Sequence, residues 1–441
     1  MKQISDTRLN SMLKKLRQLD AWTWAGLAVI ALFVFFRLWR LNLPGETVFD
    51  EVYFPKMAAQ YLAHQSFFDI HPPLGKLMIA VAESIFGNTT VGWRIVPALF
   101  GIITIPVAYW VSNVLFEDRR AALATSLLIA IDGLFIVYSR TGLMDGFLIL
   151  FGLVSVGFGW QFNKLRLAGE TEQDWIYLLL SGLFAGLALA IKWIGAGFLP
   201  LVAATTFLTM FFVRKKPITF RDFLIWLVSF VVLPTVLYTL PFLANWQSDF
   251  WHQFGLWHQQ SWGYNVHLNA THPYASKWWG WPFLIRPIWF YYKNDVSGHI
   301  LGVDAIGNPI VWWGSTLAVI YTILVLVYSA LVWKLPSQQL LNRKELKALL
   351  YALAGWAFFY LPWIKIGRVL FLYHYFASYL FALLLTGFWL GQAFKSRLSG
   401  FVSVLILIAA LAVSLFFLPI WTAYPIPQVW FNHLMWFKSW I

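Results

Sequence analysis

The 441-residue sequence contains no cysteine and few charged residues. Without cysteine there is no disulfide, no thiolate metal site and no cysteine nucleophile, which excludes a small secreted domain held by disulfides. Charged residues make up 12% of the chain and hydrophobic residues 60%, against roughly 25% and 45–50% in soluble domains. A soluble core cannot hide so much apolar surface, and a disordered chain cannot leave it in water. The remaining class is a polytopic membrane protein.

Apolar runs long enough to cross a membrane recur along the whole chain. A spanning helix needs roughly 20 mostly apolar residues, and breaking the sequence at charges, prolines and glycines gives about eleven such runs. They lie near 22–41, 92–115, 120–137, 142–163, 174–191, 193–213, 223–243, 311–333, 348–364, 369–391 and 399–419. The pair at 174–213 fits either two spans or one long broken element, because Lys192 lies between its halves. The runs are too long and too unalternating for barrel strands, so we predict an all-α integral membrane fold.

The basic residues predict how the spans are oriented. The net charge of +13 is only a weak indication of nucleic acid, because lysine and arginine in membrane proteins mostly set topology. With eleven spans and a cytoplasmic N-terminus (1–21, followed by an uncleaved first span), 19 of the 32 lysines and arginines are cytoplasmic. Their clusters are Lys14/Lys15/Arg17, Arg119/Arg120, Lys164/Arg166, Arg214/Lys215/Lys216 with Arg221, Lys334, Arg343/Lys344/Lys347 and Lys395/Arg397. This topology leaves two long outer loops, 42–91 and 244–310, and an outer tail, 420–441, on a single polytopic membrane domain, 1–441.

The first outer loop begins with two adjacent carboxylates, Asp50 and Glu51. Pro55 suits the first turn of a helix, and 55–66 is predicted to form an amphipathic helix at the membrane interface. A carboxylate before a helix is commonly a cap, which would explain one acid but not two. Ionisable residues close to the hydrocarbon are costly, so this pair is a candidate functional site.

The same loop continues with Asp69, His71 and two prolines, followed by a second predicted interfacial helix over 73–86 that carries Lys76. The prolines alone fit an ordinary turn, and Lys76 alone fits a lysine that extends to lipid headgroups. An acidic pair followed about twenty residues later by D-x-H-P-P-L-G-K is a much rarer combination.

Motifs spread over residues 48–376 resemble those of one family. They are Asp50-Glu51, Gly92-Trp93-Arg94-Ile95-Val96-Pro97, Ser139-Arg140 with Asp145, Lys192-Trp193, His272–Ser276 to Trp281-Pro282, Gly307-Asn308-Pro309 with Trp312-Trp313, and Tyr360–Trp363 with Arg368 and Phe371–Tyr375. In this order the set resembles the protein O-mannosyltransferases, which belong to the GT-C class of polyprenyl-phosphate-sugar-dependent glycosyltransferases.

The resemblance implies a GT-C-type bundle that transfers mannose from a polyprenyl phosphate to Ser or Thr hydroxyls of proteins, with inversion. The family's acidic pair falls on Asp50 and Glu51, of which the first is the candidate base, and its second-span arginine falls on Arg94. Tyr53 stands where many eukaryotic members have histidine. Their β-trefoil domain would not fit a second outer loop of about 65 residues. The resemblance therefore implies a bacterial type of enzyme in the plasma membrane.

The reaction itself indicates which residue types the site needs. A hydroxyl acceptor needs a carboxylate within hydrogen-bond reach, and the departing phosphate gains charge that fixed cations stabilise. Each cation near an outer helix end could by itself be a side chain that extends to lipid headgroups. Five such residues at the outer side, however, oppose the positive-inside trend. The residues predicted to bind the donor phosphate are Arg94, Arg140, Lys192, Arg368 and His374. The residues predicted to position the substrates are Asp69, His71, Lys76 and Asp145.

Several alternatives remain open at this point. No cofactor is predicted, and a divalent ion bound by Asp50, Glu51, Asp69 and His71 is a weaker hypothesis because their spacing is not diagnostic. A related GT-C transferase acting on lipid A or another glycolipid is the first alternative function, and a lipid-sugar transporter or flippase is the second. The expected partners are a polyprenyl-phosphate-mannose donor, an acceptor protein met during export, and membrane lipids, but no nucleic acid.

Overall fold

The computed structural model describes residues 20–441 except 66, 171, 213–217, 247, 269, 296 and 336–337. The predicted cytoplasmic segment 1–21 therefore lies almost entirely outside the described residues. The basic clusters Lys14/Lys15/Arg17 and Arg214/Lys215/Lys216 also lie outside them.

The described residues form a helical bundle with up to eleven candidate membrane spans, of which ten are single helical segments and one is a bent pair of helices. The spanning helices are α1 (Ala21–Leu38), α4 (Thr90–Phe116), α5 (Arg119–Ile131) with α6 (Gly133–Arg140), α7 (Asp145–Ala168), α8 (Asp174–Ile191), α9 (Phe198–Phe212), α10 (Phe220–Leu227) continuing into α11 (Leu233–Thr239), α13 (Pro309–Leu331), α14 (Arg343–Tyr360), α15 (Phe376–Ala393) and α16 (Arg397–Thr422). The predicted multi-pass all-α membrane fold is confirmed. The uncertain pair at 174–213 is two spans, because α8 ends before Lys192 and a 3₁₀ turn, Trp193–Gly197, precedes α9.

The spanning helices divide into inner and lipid-facing sides as a membrane bundle requires. In α15, most side chains are buried, which places this helix at the centre of the bundle. In α13 and α16, by contrast, large aliphatic side chains such as Leu331 and Ile408 are exposed. Apolar side chains that would be costly in water are stable against lipid, so these helices form the rim.

The third span is bent by 58° at Asp132. The Asp132 carboxylate accepts hydrogen bonds from the backbone N–H groups of Leu134 and Phe135, so it caps α6 after α5 has ended. Its other oxygen accepts bonds from the Asn308 N–H and the Tyr379 hydroxyl, at 2.9 and 2.8 Å. These bonds fix the direction in which α6 leaves the break, and α6 leads to the candidate site.

Two long loops emerge at one end of the bundle, which we call the site end. The first long loop (39–89) contains α2 (Phe54–Leu62) and α3 (Leu74–Phe86), close to the predicted interfacial helices over 55–66 and 73–86. On α3, Val81, Ile85 and Phe86 are exposed apolar side chains, as expected of a helix lying against lipid.

The second long loop (245–308) contains α12 (Phe250–His267) and a small antiparallel sheet that the all-α prediction did not include. Strand β1 (Trp289–Asn294) pairs with β2 (His299–Asp304), and β2 pairs with β3 (Ile426–Pro427) from the C-terminal tail. The tail ends in α17 (Gln428–Leu434) and a 3₁₀ turn. The sheet thus joins the tail to the second long loop at the site end.

Candidate active site

The acidic pair lies in a 3₁₀ turn, Phe49–Val52, at the mouth of the bundle. Phe49 has a left-handed backbone conformation, with φ of 47°, which costs a non-glycine residue on the order of 1–3 kcal/mol. Its ring stacks face to face on Phe290 of β1, with centroids 4.3 Å apart. The second long loop therefore holds the turn that aims the two carboxylates.

The carboxylate of Glu51 is fully occupied by hydrogen bonds inside the protein. It accepts two from Arg94, from Nε to Oε1 at 2.8 Å and from Nη2 to Oε2 at 2.7 Å. It accepts two more from the backbone N–H groups of Gly142 and Val48, at 2.7 and 2.9 Å. Its side chain is inaccessible to solvent. The predicted catalytic role of Glu51 does not fit this geometry, since no lone pair is left for a substrate proton.

Arg94 is equally occupied, and its predicted contact with a donor phosphate does not fit the structure. Besides its two bonds to Glu51, it donates to the carbonyl oxygens of Leu41, Pro44 and Glu46, at 3.3, 2.8 and 3.0 Å. All five guanidinium N–H groups are thereby used, and the side chain is completely buried. Arg94 ties the end of the first span to the acidic turn instead.

Arg140 also differs from the prediction that it binds the donor phosphate. It lies at the end of α6 and donates to four carbonyl oxygens around the end of α1, those of Phe36, Arg37, Trp39 and Arg40. These are the carbonyl groups that a helix end leaves without partners, and a cation there is stabilised by the helix dipole. Arg140 is therefore a cap that joins α6 to α1.

The carboxylate of Asp50, unlike that of Glu51, is not occupied by hydrogen bonds inside the described part of the protein. It is half-buried and has no side-chain hydrogen bond to any residue that the structure describes. Burial raises its pKa to about 6; nearby Lys192 opposes this rise, while Asp145 and Asp69 add to it. A carboxylate with free lone pairs and a raised pKa is suited to accept a proton.

Lys192 lies beside Asp50, at the break between α8 and α9. Its ammonium group pairs with Asp145 of α7 at 2.8 Å. The same group lies 5.6 Å from the ring centroid of Phe54 and 5.9 Å from that of Tyr373, within reach of a cation–π attraction. The break thus places a cation, already held by one acid and two rings, at the mouth of the bundle.

The first long loop adds a second ion pair, in which Lys76 binds Asp69. Lys76 also donates to the carbonyl oxygen of His71, at 2.7 Å. Burial alone would raise the pKa of Asp69, but Lys76, together with His71 and the backbone N–H of Ile70, holds that pKa below its usual value. Burial lowers the pKa of His71 to about 3, and the cations Lys192, Lys76 and Arg368 reinforce this shift against Asp69. His71 is therefore a neutral imidazole at physiological pH.

Arg368 and His374 approach the same place from the segment after α14. Arg368 is half-buried and forms no ion pair with any described residue, and its charge acts on His71. The Nδ1 atom of His374 lies within 3.1 Å of the Phe371 backbone nitrogen and 3.0 Å of its oxygen, so Nε2 is the nitrogen left for a ligand. The His374 ring is stacked between Trp281 and Tyr373. Arg368 and Lys192 both act on His71 and on His374, so these four side chains lie close together.

The structure thus divides the predicted residues into two sets. Those brought together at the mouth of the bundle are Asp50, Asp69, His71, Lys76, Asp145, Lys192, Arg368 and His374. Those engaged behind the mouth are Glu51, Arg94 and Arg140. Within the described part of the chain, no three or more acidic or histidine side chains are arranged to hold a metal ion.

The sequence does not predict two further contributors to the site. Tyr373, whose ring lies over Lys192, belongs to a late motif that assigns it no role. Trp257 of α12 donates from its indole nitrogen to the carbonyl oxygen of Asp69 at 2.6 Å. The aromatic character of both loops is visible in the sequence, but no spacing pattern connects Trp257 to a residue 188 positions earlier.

Comparison with known families covers almost the entire chain. A family model described as dolichyl-phosphate-mannose-protein mannosyltransferase matches residues 26–250. A second, described as the C-terminal four-transmembrane region of protein O-mannosyltransferase, matches residues 250–440.

Individual proteins give the same picture. The chain is 25% identical to the polyprenol-phosphate-mannose–protein mannosyltransferase of Corynebacterium glutamicum, over 97% of this chain and 94% of that protein. It is also 25% identical to the protein of the same name from Mycobacterium tuberculosis, over 96% and 93%.

Solved structures share the fold at lower identity. The Saccharomyces cerevisiae protein O-mannosyltransferase Pmt1-Pmt2 complex bound to the sugar donor aligns with a TM-score of 0.84 at 17% identity, over 98% of this chain and 94% of that chain. ArnT from Cupriavidus metallidurans bound to undecaprenyl phosphate aligns with a TM-score of 0.54 at 15% identity, over 91% and 74%. The bundle and its two long loops therefore have the GT-C arrangement.

Proposed function

This chain belongs to the protein O-mannosyltransferase family, and from that premise we propose that it moves mannose from a polyprenyl-phosphate-mannose to Ser or Thr hydroxyls of proteins, with inversion at the anomeric carbon. The observation that carries the assignment of the site is the contrast between two neighbouring acids. Glu51 has four internal hydrogen bonds, whereas Asp50 has a raised pKa, with the cation Lys192 and the acids Asp145 and Asp69 nearby.

Asp50 is the general base of this reaction. The acceptor O–H gives its proton to the Asp50 carboxylate while the hydroxyl oxygen forms a bond to C1 of the mannosyl group. The bond between C1 and the phosphate oxygen breaks, and its electron pair leaves with the phosphate. The products are the O-mannosylated protein and the polyprenyl phosphate. A single displacement inverts the configuration at C1.

Arg368, Lys192 and His374 stabilise the departing phosphate. The donor carries a phosphodiester with one negative charge, and the product phosphomonoester carries more, so charge grows on oxygen as the bond breaks. Arg368 has no competing acid among the described residues, which leaves its planar donor face for phosphate oxygens. Lys192 shares its charge with Asp145, and the Nε2 atom of His374 can donate or accept a hydrogen bond.

The site faces the extracytoplasmic side of a bacterial plasma membrane, with the N-terminus in the cytoplasm. The basis is the distribution of basic residues, because the short connections at the end opposite the site carry Arg119/Arg120, Lys164/Arg166 and Arg343/Lys344/Lys347. Cytoplasmic connections hold the excess of lysine and arginine. An acceptor protein would therefore meet the enzyme during or after export.

Reconstitution of the purified protein with polyprenyl-phosphate-mannose tests this function. A peptide that contains Thr should become mannosylated with the anomeric configuration opposite to that of the donor. The same peptide with Ala in place of Thr should not be mannosylated. Lipid A in a parallel reaction separates the glycolipid alternative. Transfer to lipid A without transfer to the peptide, or movement of the donor across vesicles without any covalent product, would refute the proposal.

Replacing Arg368 with Ala should weaken donor use. Hydrogen bonds between charged groups contribute about 1.5–3 kcal/mol, so we expect the donor KM to rise roughly tenfold to a hundredfold. Arg368→Lys should recover part of the loss, because it keeps the charge but not the two-pronged geometry. Steady-state kinetics at saturating peptide measure the effect. Lys365→Ala, three residues earlier and exposed, is the matched control, and equal donor KM values in the two Ala variants would contradict the assignment.

Mannose transfer should not depend on a divalent metal ion. Arg368 and Lys192 supply the positive charge that a metal ion provides in other transferases. Activity measured after exhaustive treatment with EDTA should fall by no more than about twofold. Removing a cation that stabilises the transition state would cause a much larger loss. A loss that added Mg²⁺ or Mn²⁺ restores would instead support the hypothesis of a metal bound by Asp50, Glu51, Asp69 and His71.

A further inference from the structure

A groove of about 480 Å³ lies between the first long loop and α12. Phe67 and Phe68 form one wall, and Gln253, Trp257 and Gln260 of α12 form the other. We call it the amide groove. Its α12 residues, which also include Leu256, follow the spacing i, i+3, i+4, i+7, so one face of that helix lines it.

The amide groove adjoins the catalytic cluster. Trp257, in its wall, donates a hydrogen bond to the carbonyl oxygen of Asp69, and Asp69 is one of the acids that act on the pKa of Asp50. Phe67 and Phe68 are the residues immediately before Asp69. A chain lying in the groove would therefore lie beside the acidic cluster that contains Asp69.

Helix α12 is held firmly enough to act as a binding wall. Next to Trp257, His258 bonds through Nε2 to the Tyr238 hydroxyl at 2.8 Å, and that hydroxyl accepts a bond from the indole nitrogen of Trp193 at 3.0 Å. Trp193 follows Lys192 directly. The helix is thus tied both to the Asp69 side and to the Lys192 side of the site.

The lining of the amide groove is uncharged among the residues that the structure describes. Its polar groups are amides and a hydroxyl, and the side chains of Gln253 and Gln260 form no hydrogen bond to any described residue. Free amide groups offer both donors and acceptors, which matches the alternating N–H and C=O groups of an extended polypeptide. A phosphate would instead require a cation. The aromatic walls suit proline and small apolar side chains next to a target hydroxyl.

We propose that the amide groove binds the acceptor polypeptide next to its target Ser or Thr, with Gln253 and Gln260 holding the backbone. The inference rests on the proposed function, because it names where that function's acceptor lies. The volume lies within the range of sites that enclose a small molecule or a short peptide segment.

Kinetics of a paired set of variants test the inference. The double variant Gln253→Ala/Gln260→Ala should raise the peptide KM about tenfold, as expected from the loss of two neutral hydrogen bonds. The donor KM and the turnover at saturating peptide should stay near wild type. Gln259→Ala is the matched control, because Gln259 is exposed on the same helix but does not line the groove.

The outcomes separate the two proposals. If the wild-type protein mannosylates the peptide but the double variant matches Gln259→Ala, the groove assignment is overturned and the function stands. A rise in donor KM without a rise in peptide KM overturns it as well. If the wild-type protein transfers no mannose to peptide, both proposals are overturned.

Crosslinking decides the matter if the double variant is not recovered from membranes. A photoreactive phenylalanine derivative placed at position 260 should capture the acceptor peptide, and the same derivative at position 259 should not. Equal capture at both positions would contradict the groove.

Discussion

Asp50→Asn should slow mannose transfer at least about a hundredfold while leaving the folded protein intact. Asn has the shape of Asp but cannot take the acceptor proton, and a positioned general base contributes roughly 10²–10⁴-fold to rate. Since the Asp50 carboxylate has no internal hydrogen bond to a described residue, its replacement leaves no buried partner unsatisfied. We therefore expect a loss of at least about a hundredfold in kcat, with donor and peptide KM values near wild type.

The pH dependence of the wild-type enzyme should report the same group. Burial raises the pKa of Asp50 to about 6, and only the deprotonated carboxylate can act as a base. The kcat/KM value should therefore be level above about pH 7 and fall about tenfold per pH unit below pH 6. In Asp50→Asn the residual rate should lack this step.

Asp20→Asn is the control, because Asp20 is exposed and caps the first span through a bond that Asn can also accept. Its activity and its pH profile should match wild type. Full turnover by correctly folded Asp50→Asn would remove the base from the mechanism. An unchanged pH step in that variant would assign the titration to another group.

Much of the fold follows from the sequence because the membrane imposes simple rules. Membrane-crossing runs of roughly 20 apolar residues must be helical. This rule predicted the eleven spans, and Lys192 indicated a break within 174–213. The two interfacial helices of the first long loop were predicted within a few residues. The small sheet was not, because its two main strands are short and its third strand comes from a tail more than 120 residues later.

The sequence predicted most of the residues that gather at the mouth of the bundle. It did not predict which of the candidate residues are occupied by hydrogen bonds inside the protein. Sequence motifs and depth identified Asp50, Lys192 and Arg368, and the resemblance to the family is confirmed. They could not show that Glu51 and Arg94 satisfy each other across 43 positions, or that Arg140 caps a helix about 100 positions away. Residue type and depth are the same for a cation that binds substrate and for one that binds backbone carbonyls. Only the direction of the side chain distinguishes them.

That distinction predicts that Arg94→Met acts on stability rather than on donor binding. Removing one partner of a buried ion pair typically costs about 3–5 kcal/mol, because the remaining charge is left unpaired. In this protein Glu51 would keep only its two backbone donors, and the carbonyl groups of Leu41, Pro44 and Glu46 would lose theirs. We expect a marked drop in thermal stability in lipid nanodiscs, together with a low yield of folded protein. The folded fraction should bind the polyprenyl phosphate with a Kd near that of wild type.

Lys293→Met is the matched control, because Lys293 also pairs with a glutamate, Glu46 at 2.9 Å, but on the surface. An exposed pair contributes about 0–1 kcal/mol, so this variant should melt close to wild type. Glu51→Gln should resemble Arg94→Met, and combining the two should cost less than the sum of their separate effects, since both break one contact. An Arg94→Met protein that is as stable as wild type but binds the donor about tenfold more weakly would instead assign Arg94 to binding of the donor phosphate. Such a result would mean that the Arg94 guanidinium leaves Glu51 when the donor binds, and that it exchanges the Glu51 carboxylate for the donor phosphate during the reaction.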